Sequence, residues 1–405
     1  MTVARHAAWV LLLVPACFHP NYDHPACGPN RECPDGLTCN EQSICDRSSP
    51  DDAAIDADPP ILDGAPLDGK VQPVCKGVYV NICVDPPQSA VTLTTQTINT
   101  TNSALCAAYV STPSILDACV IAGQSITIPS NNTVKVVGNR RLILFSTGLI
   151  TIAGTLDAAS HRSPTTNGPA ADSGPCPTNV TNPTAGGQGD GGGGWGGSFG
   201  GAGNNGGRGA ESGIGGIAAA AITATTLRGG CPGSKGAGGG AGNGGHGGGA
   251  VALIAAQTLM IPGIVNASGS GGSGALNDSG GGGGGGSGGM IVLDAATVDV
   301  SGQCFANGGG AGEGANVAAN GNPGNESSVP STPGRGGANG SQFGGDGGDG
   351  SFGTALGGKP GNSGSKGGGA LGGGGGGGGG AGIIKVFSTS QSGTNDPTKV
   401  SPPPS

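Results

Sequence analysis

Residues that could carry out acid–base chemistry are few and widely separated in this chain of 405 residues. Of its five histidines, only His161 and His246 lie beyond residue 24. Neither belongs to a His-Glu-x-x-His pair, and no serine stands in a Gly-x-Ser-x-Gly stretch at a strand–helix turn. We therefore predict no catalytic residue, no cofactor and no metal site, and expect a non-enzymatic protein.

One acidic stretch resembles a metal-binding motif. Residues 344–352, Gly-Gly-Asp-Gly-Gly-Asp-Gly-Ser-Phe, look like a calcium-binding RTX nonapeptide with its bulky residue one position late. RTX sites are completed by stacked copies, and this chain has a single copy. Arg140 and Arg141 are the only adjacent cations, and we expect them at a solvated edge rather than in an anion site.

The N-terminus indicates export. Arg5 precedes a short apolar run, 7–14, which is too short to span a bilayer and ends at Pro15-Ala16-Cys17. A small residue before a cysteine resembles a bacterial lipoprotein processing site, in which Cys17 would carry the lipid anchor and become the new N-terminus. Secretion with cleavage after Ala16 is the alternative. The first reading places the protein at the outer membrane or cell surface.

The other cysteines predict a disulfide framework. Cysteines recur every six residues between Cys27 and Cys45, in an exported segment too short to build an apolar core. Disulfides are favoured there over zinc, with three pairings open. Cys304, on an apolar strand face, is expected to be a buried free thiol. The candidates for disulfide bonds are Cys27, Cys33, Cys39, Cys45, Cys75, Cys83, Cys106, Cys119, Cys176 and Cys231.

Composition excludes several classes of protein. Glycine accounts for 92 residues and aromatic residues for 3%, so the chain has too few large apolar side chains for one uniformly packed globular enzyme. Charged residues account for 10%. The glycines occur in runs rather than at every third position, which excludes collagen. The formal charge of −8 provides no basic surface, so nucleic acid is not an expected partner.

An internal repeat predicts the fold. Segments 142–158, 253–267 and 290–306 align without gaps on Gly154, Gly263 and Gly302, and apolar residues alternate within each of them. A unit of this length with three short strands is typical of one coil of a β-solenoid, whose coils bury their apolar faces on one another. The aligned apolar columns are Phe145, Ile254 and Leu293; Ile150, Leu259 and Val298; Ile152, Ile261 and Val300; Leu156, Val265 and Cys304; and Ala158, Ala267 and Ala306.

The predicted fold class is therefore all-β: a small parallel β-solenoid, β-helix-like, with long Gly-rich loop insertions, preceded by a disulfide-stapled N-terminal module and a disordered linker. The insertions, 160–249, 269–289 and 308–381, would leave from one corner, as mobile loops or as packed polyproline-II helices. Partial order is expected. The predicted parts are a signal peptide 1–17, a Cys-rich module 18–45, an Asp/Ala/Pro linker 46–74, an opening β segment 75–140, the solenoid 141–390 and a disordered tail 391–405.

The order of these parts resembles a group of uncharacterised predicted lipoproteins from myxobacteria and related bacteria. The resemblance runs through Cys17, the Cys27–Cys45 module, the linker and residues 141–387. Glycine-rich runs in the second half are also similar in composition to PE-PGRS proteins, but the helical Pro-Glu domain of that family is absent from the sequence. Neither resemblance implies a catalytic residue.

Three functions remain open. The first is a surface-displayed lipoprotein with a structural or adhesive role, anchored by lipid and contacting an extracellular glycan or protein surface. The second is an exported carbohydrate-binding or carbohydrate-cleaving β-helix protein, for which Trp195, Phe199 and Phe343 would have to line a groove. A weaker third is a secreted ice- or surface-binding protein.

Overall fold

The computed structural model describes residues 27–28, 30–33, 37–39, 43–46, 72–107, 109–111 and 117–405. The signal segment with Cys17, and linker residues 47–71, lie outside the described residues. The chain divides into two compact units, Met1–Gly69 and Lys70–Ser405. Among the described residues, no helix is long and apolar enough to span a membrane.

The described residues form 26 short strands and no helix. Those before residue 112 are β1 (Thr38–Cys39), β2 (Cys45–Asp46), β3 (Val74–Lys76), β4 (Ile82–Val84), β5 (Val91–Thr92), β6 (Gln96–Asn99) and β7 (Val110–Ser111). Those up to the first long insertion are β8 (Ala118–Gly123), β9 (Ile126–Ile128), β10 (Thr133–Val137), β11 (Arg141–Ser146), β12 (Ile150–Ile152), β13 (Thr155–Asp157), β14 (His161–Arg162) and β15 (Thr165–Thr166). The remainder are β16 (Ala250–Ala255), β17 (Thr258–Met260), β18 (Ile264–Asn266), β19 (Met290–Asp294), β20 (Thr297–Asp299), β21 (Gln303–Phe305), β22 (Lys366–Gly367), β23 (Ala370–Leu371), β24 (Ile383–Phe387), β25 (Ser390–Ser392) and β26 (Val400–Ser401).

Three parallel sheets make up the body of the larger unit. The first has the order β24-β19-β16-β11-β8, the second β25-β20-β17-β12-β9-β5, and the third β26-β21-β18-β13-β10-β6. Consecutive strands of the chain therefore visit the three sheets in turn, and each complete turn stacks on the one before it. The fold is all-β, parallel and solenoid-like. Small antiparallel sheets accompany it: β1-β2, β3-β4-β7, β14-β15 and β22-β23.

The stack is longer than the repeat indicates. A complete coil, β8-β9-β10, precedes the first aligned segment and begins at Ala118, within the predicted opening segment 75–140. Strands β5 and β6 extend the second and third sheets by one more position. The extra strands are short and rich in threonine and polar residues, so their period-2 pattern is weak in the sequence.

The predicted tail 391–405 is not disordered: β25 and β26 lie in it and pair with β20 and β21. Val400 lies opposite Cys304 and is buried, and the Ser405 amide donates to the Ile384 carbonyl. The prediction was wrong because a single buried valine among polar and proline residues provides little sequence signal. In the structure this segment completes the last coil and covers part of its edge.

Four of the five aligned columns stack as expected, and the fifth does so only in part. Leu259 pairs with Ile150 and Val298, and Val265 pairs with Leu156 and Cys304. In the first sheet, however, Ile254 lies opposite Asp294, and Leu293 lies opposite Leu253. The corner after β19 is one residue shorter than the corner after β16, which shifts the register by one position. Phe145 lies opposite Ile254 as expected, but Leu293 does not continue that column, so only this part of the prediction is wrong.

This shift matters because the first sheet is buried on both faces. Leu144, Leu253 and Leu293 point into the solenoid core, whereas Phe145 and Ile254 belong to a second apolar cluster on the outer face. That cluster includes residues of β4 and, from the first long insertion, Phe199 and Leu227. Burial on both faces explains why the strands of this sheet are nearly continuous apolar runs rather than alternating ones.

The corner glycines are required by close approach between coils. Gly154, Gly263 and Gly302 do not adopt a positive φ, so a left-handed turn is not the reason for glycine here. A Cβ on Gly263 would overlap the carbonyl oxygen of Gly154, and a Cβ on Gly302 would overlap that of Gly263. Any side chain at this corner would separate two successive coils.

All ten candidate cysteines are paired. In the N-terminal unit Cys27 is bonded to Cys39 and Cys33 to Cys45. The pairs in the larger unit are Cys75–Cys83, Cys106–Cys119 and Cys176–Cys231. Among the described cysteines only Cys304 is free; it is buried in the solenoid core, and burial raises the pKa of its thiol to about 12.

Candidate functional site

The three glycine-rich insertions form an ordered bundle of extended segments, here called the glycine bundle. All three leave after a strand of the third sheet and return to a strand of the first sheet, so they emerge at one corner. Within the bundle the segments are joined by backbone hydrogen bonds rather than by apolar contacts. Of the two states that the sequence left open, the structure shows the packed one.

Segment 280–289 lies at the centre of this bundle. Its amides donate with a three-residue period: Gly282, Gly285 and Gly288 donate to residues of 374–380, at 2.9–3.0 Å. The next residue in each triplet donates to residues of 267–273, and the one after that to residues of 231–237. Its carbonyls accept from three further segments. This is the pattern of a polyproline-II helix with six neighbours, and Ser287 is the one residue of the segment that is not glycine.

Segment 372–382 is surrounded in the same way. Its amides donate to 309–315, 191–197 and 356–362, and its carbonyls accept from three other segments. The two central segments coincide with the two longest glycine runs of the sequence, 280–286 and 372–380. A Cβ on Gly376 would overlap the carbonyl of Gly283, so an all-glycine sequence is a packing requirement at these positions.

Outer segments carry side chains at the positions that face away from the bundle. In 344–351 the outward residues are Asp346 and Asp349, whereas Gly345 and Gly348 are buried. The amides of Lys359 and Asn362 donate to the carbonyls of Asp349 and Asp346, both at 2.8 Å. Side chains of neighbouring segments are thereby held in register across the surface.

These residues line an open polar groove of about 710 Å³. The walls come from four adjacent segments of the third insertion, each fixed by backbone hydrogen bonds to the next. Side chains lie in two rows about 9 Å apart, the length of three polyproline-II residues. One row is Asn325, Arg335, Asp349 and Lys359, and the other is Asn322, Ala338, Asp346 and Asn362.

Charges in the groove are balanced: two basic residues face two acidic ones. Lys359 Nζ lies 2.8 Å from Asp349 Oδ2, and the Gly336 amide donates to Asp349 Oδ1 at 3.0 Å. Burial acts to raise the pKa of Asp349, but these two hydrogen bonds and the nearby Arg335 outweigh it and hold that pKa below its ordinary value. Asp349 is thus an ionised carboxylate committed to a cation of the protein.

The RTX-like stretch is therefore part of this groove. Asp346 Oδ2 is 3.4 Å from the side-chain nitrogen Nδ2 of Asn362, whereas Asp349 is paired with Lys359. The two carboxylates therefore have different partners and do not converge on one point. In the described structure the only cluster with metal-ligand spacing is Cys27, Cys33 and Cys39, whose sulfurs are in disulfides and cannot ligate.

A second cluster was not predicted from the sequence: His161 lies between two carboxylates. Its Nδ1 is 2.8 Å from Glu326 Oε2, and its Nε2 is 3.0 Å from Asp157 Oδ2. The hydrogen bonds to Asp157 and Glu326 outweigh burial and raise the pKa of His161 to about 10. At neutral pH the ring is an imidazolium that joins β13 of the solenoid to the third insertion.

A small cavity of about 290 Å³ lies beside this cluster, bordered by Lys135, Asp157 and His161. Lys135 pairs in register with Asp157 on the neighbouring strand, which places the three charged groups on the outer face of the third sheet. Since the His161 ring is protonated and held from both sides, it is poorly suited to accept a proton at neutral pH.

The three aromatic residues considered for a carbohydrate groove are not brought together. Phe199 is buried beneath Arg228, whose guanidinium carbon lies 4.9 Å from the ring centroid. Trp195 borders a separate apolar cavity of about 40 Å³, and Phe343 packs against Gly367. None of them lines the polar groove. If the groove binds a ligand, it does so with polar groups.

The other residues singled out in the sequence have structural contacts. Arg140 forms an ion pair with Asp117 at 2.7 Å, and the Arg141 guanidinium donates to the Leu227 carbonyl. His246 Nδ1 lies 2.6 Å from Asp172, and this hydrogen bond raises the pKa of His246.

Two buried carboxylates with structural roles were also not predicted from the sequence. Asp190 accepts hydrogen bonds from the amides of residues 211–213, and Glu313 accepts them from Asn322, Gly340 and Ser341. Each one closes a turn of the glycine bundle, and Glu313 holds the segments beneath the groove. The signal available in the sequence was a lone acid within a glycine-rich repeat, which does not reveal its distant partners.

The chain matches no protein-family model, no curated protein and no solved structure.

Proposed function

We propose that this protein is an exported, surface-displayed lipoprotein with a structural or adhesive role, in which the solenoid supports the glycine bundle and the polar groove is the contact surface. The observation that carries this proposal is the rigidity of the groove: its side chains project from segments hydrogen-bonded through their backbones. A preorganised surface of this kind loses little conformational entropy on binding.

Export is supported by the cysteines. Five disulfides, spread over both units, favour an oxidising compartment. Together with the processing site at Cys17 they favour a lipid-anchored protein outside the cytoplasm. We further propose that the parallel fold is a β-solenoid of the β-helix type, and that the protein is a member of the myxobacterial lipoproteins it resembles.

Binding is favoured over catalysis by the state of the titratable groups. Asp349 is ionised and paired with Lys359, and His161 is protonated between Asp157 and Glu326. Neither cluster presents a group poised to exchange a proton near neutral pH. We propose a role that depends on shape and hydrogen bonding rather than on a reaction.

The lipid anchor and display are tested in cells that express the full-length chain. Radiolabelled palmitate should be incorporated into the wild-type protein and not into the Cys17→Ser variant. Trypsin applied to intact cells should cut after Arg47 or Lys70 of the linker and release the larger unit. A protein that resists trypsin until the cells are lysed is not displayed at the surface, and labelling of the variant would argue against Cys17.

Adhesion is tested separately, with cells carrying the wild-type chain or the Cys17→Ser variant. We expect only the cells that display the protein to be retained on surfaces coated with extracellular matrix material from the same culture. A variant altered in the groove, Arg335→Ala, should be displayed normally and be retained less. Equal retention of all three would contradict the adhesive role.

A further inference from the structure

We infer that the polar groove binds an extended, uncharged polysaccharide, whose successive sugars contact the two rows of side chains. The inference rests on the proposed binding role of the glycine bundle and names the ligand class for that site.

The groove offers both donors and acceptors for hydroxyl groups. Carboxylates accept, amides do both, and a guanidinium donates through a planar fork that matches two adjacent hydroxyls. In the described part of the chain, the side chains of Arg335 and Asn325 make no hydrogen bond to another residue, and both are exposed in the groove. Their hydrogen-bonding capacity is therefore open to a ligand.

The spacing favours a polymer over a compact molecule. The two rows repeat at about 9 Å, set by three residues of polyproline II. A chain of linked sugar rings places equivalent hydroxyls at a regular interval of similar length, that of about two rings. The groove is also open along its length, with a volume of about 710 Å³, so a long chain can lie in it without entering by its end.

The charge favours a neutral ligand. Arg335 and Lys359 are balanced by Asp346 and Asp349, so the groove has no net charge to attract a polyanion. The whole chain carries a formal charge of −8, which repels polyanions such as uronate polymers. A protein partner is disfavoured because no aromatic or large aliphatic side chain lines the groove to act as an anchor.

The experiment uses the full-length chain with Cys17→Ser, which remains unacylated, and measures its retardation in gels containing a soluble polysaccharide. The neutral probes are dextran, mannan and laminarin, and the anionic probes are alginate and polygalacturonate. We expect retardation by at least one neutral polymer, little change on adding salt, and none by the anionic polymers at equal concentration.

Variants then assign the binding to the groove. Asn325→Ala combined with Arg335→Ala should weaken binding at least tenfold. Arg208→Ala is the matched control, because Arg208 is an exposed arginine on another segment of the same bundle and does not line the groove. All altered residues are exposed, so the melting temperatures should agree; circular dichroism checks this.

Three results would overturn the inference: no retardation by any neutral polymer, stronger retardation by the anionic polymers, or equal binding by the groove variant and the wild type. These outcomes are separable from failure of the proposed function. Display and adhesion without neutral-glycan binding would remove only the ligand class, whereas glycan binding by a protein that is not displayed would remove only the surface role.

Discussion

Glycines at the centre of the bundle are required for contact between backbones. Gly284 is an example: its amide donates to the Ser234 carbonyl at 2.9 Å, and an added Cβ would overlap the carbonyl oxygen of Trp195. Because the neighbouring atoms belong to the backbone, they cannot rotate away as the end of a flexible side chain would. The usual benefit of alanine over glycine, reduced entropy of the unfolded chain, is therefore outweighed.

We predict that Gly284→Ala lowers the free energy of unfolding by about 3 kcal/mol, as overpacking in a tightly packed interior does. The control is Gly187→Ala, where an added methyl has no atom within 4 Å and φ is not in the left-handed region. That variant should change stability by less than about 1 kcal/mol. Denaturant unfolding followed by circular dichroism measures both; equal effects would show that the central segments are not packed.

His161 predicts a stability that depends on pH. Its folded pKa, about 10, lies above the ordinary value of 6.5, so the protonated ring favours the folded state. The stabilisation is fully present below pH 6.5 and is lost as pH rises toward about 10. The difference in stability between the wild type and His161→Gln should therefore shrink across this window.

Glu326→Gln is the informative companion to that variant. It removes one of the two carboxylates while Asp157 remains, so the pH dependence should be reduced but not abolished. Urea unfolding at several pH values measures the effect. A wild type whose stability is flat across the window relative to His161→Gln would mean that the imidazolium is not held between the two acids.

At the scale of the elements, the register of the strands could be predicted where only one face of a sheet is buried. The columns through Leu259 and Val265 were read correctly because side chains of the second and third sheets alternate inward and outward. The first sheet is buried on both faces, so its apolar runs contain no alternation to fix the register. The corner after β19 is one residue shorter, so Asp294 rather than Leu293 lies opposite Ile254. A gap-free alignment of apolar runs could not detect this shift of one residue.

Long-range polar contacts could not be predicted from the sequence, for a different reason. His161 and Glu326 are separated by 165 positions, and the groove brings together segments that are linked by turns of varying length. Only the three-residue period of Asp346 and Asp349 hinted at a common outward face. Which neighbours would complete that face depends on how the extended segments pack.

The C-terminal element gives a direct test of the tail. Val400 is buried opposite Cys304 in the last coil, so Val400→Asp would place an unpaired charge in the solenoid core and cost about 3 kcal/mol or more. Asn395→Asp adds the same charge at an exposed position of the same segment and should be nearly neutral. Thermal unfolding of the two variants distinguishes an ordered tail, with unequal effects, from a disordered one.

At the scale of the whole molecule, the solenoid and the glycine bundle should resist hydrogen exchange alike. Amides of 281–289 and 372–382 donate hydrogen bonds to the surrounding segments, as those of β16 and β19 do within their sheet. We predict comparable protection in both, measured by exchange mass spectrometry, and fast exchange at the turn of Gly368 and Gly369, where neither has a neighbour around its Cβ position. Fast exchange in the central segments would indicate mobile loops instead.

The heat capacity of unfolding should be unusual as well. Exposing apolar surface raises the heat capacity and exposing amide surface lowers it, and ordinary proteins reach about 12–15 cal/mol/K per residue. Much of what this protein exposes on unfolding is peptide group from the glycine bundle, so calorimetry should give a value per residue below that range. A small value makes the curve of stability against temperature flat. A protein held together in this way would lose little stability on cooling, where a conventional apolar core weakens.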